Sequence, residues 1–233
     1  MNQKSAQTFA QDPARYLEPP VCKEIFTFIY KLLDEHKVKS VLDVGCANGN
    51  FLSFLPDSIR GTGVDISDQF IQIAKKRFQK PNLNFLTLDI LAKEAPQRLK
   101  DKFDAITMIG VFSTFHDYKA LLDRILSFKS KFVMIHSPLN DFPVDASHFH
   151  RDLTRSQADF QCAYNIFSRV TLDQYFKEHG VRYRCIPFEM NATLKKDAKN
   201  PIHNFHITLD NGERYLTNGI GILFKEYVIV IEQ

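Results

Sequence analysis

The sequence predicts an α/β fold, a doubly wound and mostly parallel sheet that finishes in antiparallel strands. Two observations carry this. Short apolar runs that stop at glycine or aspartate alternate with amphipathic segments of helical period, the pattern of parallel strands joined by crossover helices. The last third changes to closely spaced strands around Asp210-Asn211-Gly212, a hairpin signal, and antiparallel strands commonly complete an open α/β sheet. The 233 residues contain no repeat, low-complexity tract or Gly/Ser linker. One domain is therefore expected, and a chain of this size buries roughly 70% of its unfolded surface.

Each element has a local reason. Beyond Pro19 and Pro20, the apolar positions Val21, Ile25, Phe28, Ile29, Leu32 and Leu33 recur at helical spacing. The run from Val41 to Val44 ends in glycines and reads as a buried strand. A second strand is predicted from Gly61 to Ile66, after which Ser67 can cap a helix with apolar face Phe70, Ile71, Ala74 and Phe78, stopped by Pro81. Leu83 to Leu88 and Ala105 to Val111 supply a third and a fourth strand. A helix from about Lys119 to Phe128 and a fifth strand from Lys131 to His136 follow. Thr171 to His179 reads as a helix closed by Gly180, Tyr183 to Met190 as a strand, His206 to Leu209 and Arg214 to Thr217 as a hairpin, and Tyr227 to Glu232 as a final strand. Asn140 to Arg169, aromatic and His-rich without a clean period, has the length of a lid or binding loop.

The composition, 44% hydrophobic and 24% charged, is that of an ordinary soluble domain. Thirty basic against twenty-seven acidic residues give a net charge of +3, scattered along the chain, so no nucleic-acid partner is expected. Cys22, Cys46, Cys162 and Cys185 form no CxxC pair and suit free thiols in a reducing compartment. The polar stretch from Met1 to Arg15 lacks an apolar targeting core, and no stretch approaches the ~18 apolar residues of a membrane span. A soluble cytoplasmic protein, a monomer or homodimer, is expected.

The informative stretch is residues 41–51, VLDVGCANGNF, in which a strand ends at Asp43 and Gly45, Cys46, Ala47 and Gly49 lead into a helix. Ligands of open α/β sheets bind at such strand ends. A dinucleotide fingerprint read from Gly45 needs glycine where Ala47 and Asn50 stand, and Asp43 would repel a pyrophosphate. An acid there suits a cationic ligand, and S-adenosylmethionine carries both a sulfonium and an ammonium. Asp65, at the next strand end, can accept from both hydroxyls of a ribose. Asp89 can accept from an adenine amino group while Ile66 and Ile90 flank the ring, and Gly110 and Val111 close the pocket from the fourth strand.

With these residues in order, the sequence resembles the class I S-adenosylmethionine-dependent methyltransferases from about Lys39 to Gln233. Gly45 and Gly49 match the family's glycine turn, Asp43 its leading acid, Asp65 its ribose acid and Asp89 its adenine acid, while Ala47 departs from the middle glycine. The resemblance implies a Rossmann-like sheet of seven strands with the last reversed. The tail through Asn200-Pro201-Ile202 and Asn218-Gly219-Ile220-Gly221-Ile222 looks like small stand-alone methyltransferases of bacterial surface-polysaccharide or specialised-metabolite pathways. That narrower likeness implies a small-molecule acceptor such as a sugar or a phosphorylated precursor.

Methyl transfer requires alignment of the acceptor, exclusion of water and, for a hydroxyl, removal of a proton. His116 and Asp117, just past the fourth strand, and His136, which follows the fifth, are the candidate catalytic residues, with His116 placed first as the base. Tyr16, Phe115, His148, His150, Arg151 and Tyr164 are candidates for holding the acceptor, with Asp145 beside them. Two imidazoles at His148 and His150 do not complete a coordination shell, so no metal is expected. The resulting division is an N-terminal helical cap (1–38), a cofactor-binding core (39–137), an acceptor-binding lid (138–170) and a C-terminal helix with antiparallel strands (171–233).

The function expected is transfer of a methyl group to a small polar molecule, at an oxygen of a sugar or related metabolite. A protein or nucleic-acid methyltransferase and a non-catalytic cofactor-binding protein are the alternatives. Methylation of exocyclic base amines would call for an acid or amide followed by two prolines where Ile109-Gly110-Val111-Phe112 stands.

Overall fold

The strands foreseen from the apolar runs form, and they line up in one sheet. A computed structural model describes residues 20–151, 161–196, 204–217 and 223–233, with side chains described at these positions except 20–23, 149–151 and 161–163. In chain order the elements are α1 (Pro20–Glu35), β1 (Ser40–Val44), α2 (Asn50–Phe54), β2 (Arg60–Asp65), α3 (Asp68–Arg77), β3 (Leu83–Thr87), α4 (Ala95–Arg98), β4 (Ala105–Ile109), α5 (Tyr118–Leu126) and β5 (Phe132–Asn140). There follow β6 (Ala146–Arg151), β7 (Gln161–Ser168), α6 (Arg169–Glu178), β8 (Arg182–Phe188), β9 (Phe205–Thr208), β10 (Arg214–Thr217) and β11 (Leu223–Glu232).

The central strands run in the order β3-β2-β1-β4-β5-β11-β8. All neighbours from β3 to β5 are parallel, and β11 is antiparallel to both β5 and β8. This is the expected seven-stranded sheet with a reversed strand. Because the chain leaves β1 toward β2 on one side and later returns to β4 on the other, a crevice opens between the carboxyl ends of β1 and β4.

Both faces of the sheet are covered. Leu42 and Val44 point to the face packed by Leu121, Leu122 and Ile125 of α5 and by Leu172, Tyr175 and Phe176 of α6. Val41, Met134, Val228 and Val230 point to the other, under Ile25, Ile29, Leu32 and Leu33 of α1 and Ile71 and Ala74 of α3. Alternation along the strands thus divides one apolar set into two layers. The cap foreseen at Ser67 forms, its Oγ accepting from Phe70 N at 3.4 Å. The Asp210-Asn211-Gly212 turn also forms, with Gly212 at φ 83° and Leu209 N donating to Glu213 O at 2.9 Å.

Two additions enlarge the expected sheet. The β9–β10 hairpin pairs with the start of β11, at Leu216↔Phe224 and Thr217↔Leu223. Asn140 to Arg169, expected as a lid or loop, instead carries the antiparallel pair β6–β7, with β7 joined to the extended end of β5. Among the described side chains of the pair, Ile166 and Phe167 enter the core and Tyr164 packs against it.

The hairpin is tied to the site by Asn165. This fully buried side chain donates to Ser113 O at 2.8 Å and Phe115 O at 2.9 Å, and accepts from Ser147 Oγ at 2.6 Å. Asn165→Leu would leave two carbonyls and a hydroxyl without partners. We expect a loss of stability of about 2–4 kcal/mol from such unmade buried hydrogen bonds, read as an earlier midpoint in urea unfolding.

Candidate active site

The turn from β1 into α2 is shaped by what a Cβ would strike. Gly45 has φ 72°, and a Cβ there would lie 2.5 Å from Val111 Cγ2; at Gly49, with φ 80°, it would lie 2.7 Å from the Phe85 ring. Ala47 takes the left-handed conformation at φ 46° despite its side chain, a strain of roughly 1–2 kcal/mol. Its N–H donates to Asp65 Oδ2 at 3.0 Å, which holds the turn against that strain. The departure from glycine at this position is accommodated by the acid on the neighbouring strand.

Asp43 is 3% exposed and stands opposite Thr107 in the β1–β4 register, where Thr107 Oγ1 donates to its Oδ1 at 2.7 Å. Burial pushes its pKa up to about 7; the Thr107 hydrogen bond opposes this and the charge of Asp65 adds to it. Asp65 accepts from Ser67 N at 2.9 Å as well as from Ala47 N. Burial raises its pKa, while these backbone donors pull it down. Cys46 is buried beside both acids, and its thiol is held well above the usual range, first by burial and then by the two carboxylates.

Two clefts meet here. The larger encloses about 330 Å³ and is lined from the ends of β1 and β4, from His136 midway along β5, and from Phe188 of β8 and Glu226 of β11, under Ile25 and Phe26 of α1. The smaller, about 40 Å³, is walled by Ile66, Leu88, Asp89, Ile90 and Phe115. Gly45, Asp65 and Val111 line both and mark their junction. A long ligand can therefore run from Asp89 past Asp65 to Asp43 along the sheet edge.

The structure brings together the residues expected to hold a cofactor. Asp43, Gly45, Cys46, Ala47, Asp65, Gly110 and Val111 line the larger cleft, and Ile66, Asp89 and Ile90 the smaller. Gly49 lies behind the turn, packed on Phe85 and Ala74. Of the catalytic candidates, His136 lines the larger cleft, Asp117 caps α5 by accepting from Ala120 N at 3.0 Å, and exposed His116 lines neither cleft. Phe115, expected on the acceptor, walls the smaller cleft. Tyr164 packs against Phe224, ring centroids 6.2 Å apart, and Tyr164 and His148 face each other in the β6–β7 register outside both linings. Asp145 accepts from Ser168 N at 2.7 Å and Thr171 Oγ1 at 2.8 Å, anchoring the start of α6. Tyr16, the side chains of His150 and Arg151, and the tail positions 200–202 and 218–222 lie outside the described residues.

Sequence reasoning missed Thr107, Phe188, Met190 and Glu226. Glu226 carries a faint signal, an acid immediately ahead of the apolar run Tyr227 to Ile231, but its place beside His136 depends on the pairing of β11 with β5.

A methyltransferase-domain family model matches residues 14–186. The chain belongs to this methyltransferase family. Over 127 residues the methyltransferase is 30% identical to a malonyl-[acyl-carrier protein] O-methyltransferase of Acetivibrio thermocellus, covering 53% of this chain and 44% of that one. The match thus spans under half the length of that curated relative. An S-adenosylmethionine-dependent methyltransferase from Clostridium acetobutylicum superposes with a TM-score of 0.57 at 14% identity, covering 99% of each chain. The Burkholderia thailandensis 1,6-didemethyltoxoflavin N1-methyltransferase, solved with that compound and S-adenosylhomocysteine, gives a TM-score of 0.57 at 14% identity, over 98% of this chain and 86% of that one. The family match and the Rossmann-like fold shared with these solved structures agree with one another. Among the described residues no helix is long and apolar enough to cross a membrane.

The raised pKa of Asp43 has a thermodynamic sign. A carboxyl whose folded pKa lies above its unfolded value costs stability once ionised, and that cost disappears as pH falls through about 7 toward the unfolded value. Asp43→Asn keeps an oxygen to accept from Thr107 and removes the charge. We expect the ligand-free variant to melt above the native protein at pH 8, by the equivalent of a few kcal/mol at most. The difference should shrink steadily as pH falls below 7 and vanish only near the unfolded pKa, about pH 4; calorimetric scans at pH 8 and pH 4 check it.

Proposed function

We propose that the protein transfers a methyl group from S-adenosylmethionine to an oxygen of a small polar molecule, with His136 receiving the acceptor's proton. The chain's residues suit the cofactor chemically. The smaller cleft offers Ile66 and Ile90 to an adenine ring and the Asp89 carboxylate to its amino group. Asp65 accepts from backbone donors at both oxygens and retains lone pairs for ribose hydroxyls. Asp43 supplies a buried negative charge for a cationic ligand, which would restore its ionised form. When bound, the cofactor supplies a methyl group on positively charged sulfur, whose transfer to a hydroxyl oxygen leaves a neutral thioether and one proton to be removed.

The observation that carries the proposal is His136. The side chain lines the larger cleft from β5, the residue is 8% exposed, and neither ring nitrogen has a hydrogen-bond partner among the described residues. Buried polar groups are rarely left so, and an orphaned imidazole in the wall of a cleft is a group waiting for a ligand. Its Nε2 stands 3.7 Å from Glu226 Oε1, and the edge of the Phe188 ring packs on it with centroids 5.4 Å apart, so the imidazole is oriented and shielded from water. Gly110, whose N–H donates to His136 O at 3.1 Å, keeps the adjoining wall free of a side chain. The sugar or related metabolite expected from the sequence is one acceptor of this kind.

Titration calorimetry with S-adenosylmethionine and S-adenosylhomocysteine tests the site before any acceptor is known, and absence of binding to folded protein would overturn it. Asp65→Ala should weaken cofactor binding by about 1–3 kcal/mol, the value of charged hydrogen bonds to two hydroxyls. With an acceptor found by screening for release of the demethylated product, His136→Asn should lower turnover by roughly 10²–10⁴-fold with cofactor affinity kept. His116→Ala should retain turnover; the reverse pattern would move the base to His116.

A further inference from the structure

The charges lining the larger cleft are one-sided. Its described lining contains the carboxylates of Asp43, Asp65 and Glu226 and no Lys or Arg. Asp43 and Asp65 stand at the ends of β1 and β2, where the cofactor is held. Glu226 is on β11, three strands from β1, and strands about 4.8 Å apart place it about 14 Å along the sheet edge. The register sets Val228 opposite His136 and Glu226 opposite Pro138, so Glu226 and His136 share a face as diagonal neighbours. The Glu226 side chain is 14% exposed.

The cations near Glu226 are engaged elsewhere. Lys225 alternates to the opposite face of β11, its Nζ 4.5 Å above the Tyr215 ring and 3.7 Å from Glu213 Oε1. Arg214 donates to Met190 O and Ala192 O, both at 3.0 Å, and to Thr193 Oγ1 at 3.2 Å. His206 accepts from Leu194 N at its Nδ1, 2.9 Å away. Beside Glu226 stands the His136 imidazole, 3.7 Å away; the rest of the cleft wall there is apolar, with Phe188 and Met190 from the segment at the end of β8 and with Ile25, Phe26 and Phe51 also in its lining.

We propose that Glu226 selects the acceptor by charge, so that the cleft takes an uncharged or cationic molecule with an apolar body and rejects one carrying a carboxylate or phosphate. The inference rests on the methyltransferase site above and adds the chemical class of its acceptor. A carboxylate out of solvent repels an anion with little screening, and no cation in the described lining stands between them. An ammonium on the acceptor would instead pair with it, while Phe188, Phe26 and Phe51 offer faces to an aromatic or aliphatic body. A phosphorylated precursor, one acceptor implied by the sequence, falls outside this class.

Three phenols that share one ring and differ in charge test it: tyramine, para-cresol and para-hydroxyphenylacetate, each titrated calorimetrically into the protein saturated with S-adenosylhomocysteine. Tyramine should bind most tightly and the carboxylate most weakly, the two separated by at least about tenfold. Glu226→Gln should shrink the ratio of tyramine to carboxylate affinity by about tenfold, a change in selectivity that a general loosening of the fold does not produce. The order among the phenols on the native protein stands even where the variant fails to fold. Equal affinities, preference for the carboxylate, no binding of any phenol up to about 10 mM, or an unchanged ratio in folded Glu226→Gln would each overturn the proposal. The preceding S-adenosylhomocysteine titration separates these results from failure of the cofactor site itself.

Discussion

A carboxylate buried between two strands is the constraint on which the site depends. Asp43 sits where the strand order reverses, and its hydrogen bond to Thr107 joins β1 to β4 across the crevice that the reversal creates. Leaving an ionisable group there is costly, as its raised pKa shows. The adjoining turn is built around that cost: Gly45 brings bare backbone against Val111, and Asp65 holds Ala47 in a left-handed conformation from the next strand. Stability is given up at the mouth of the cleft, the usual relation between a preorganised site and the fold that carries it.

The opposite wall of the cleft is assembled from parts distant in sequence. Glu24 on α1 accepts from Asn191 N at 2.7 Å and Ala192 N at 3.3 Å, while Arg214 on β10 grips the carbonyls of Met190 and Ala192 from the other side. The segment bearing Met190 is thereby held between the first helix and the late hairpin. Phe28 adds an apolar tie, its ring 5.5 Å from that of Phe188. The residues of this wall thus depend on long-range backbone hydrogen bonds, whereas those at the ends of β1 and β2 depend on neighbouring parallel strands. A common scaffold with a separately built wall is how one α/β fold serves different acceptors.

The β6–β7 hairpin shows where periodicity stops being informative. Strand patterns are readable from alternating apolar residues, and here Asn165, a polar residue, makes the attachment of the pair to the core. The same limit hides His136 among the other histidines. Eight histidines occur in the chain, and nothing local distinguishes buried His136, whose ring nitrogens make no hydrogen bond among the described residues, from exposed His116.

The sequence by itself determined the alternation of strands and helices, the glycine turn and the acids at the ends of β1 and β2 and after β3. These follow from local rules: period, turn chemistry and the tendency of parallel strands to end at a ligand. Only the tertiary structure decided what faces them. Thr107 reaches Asp43, Glu226 reaches His136, and Phe115 turns to the smaller cleft because of strand order and register, which join residues tens of positions apart and leave no trace in the residues between.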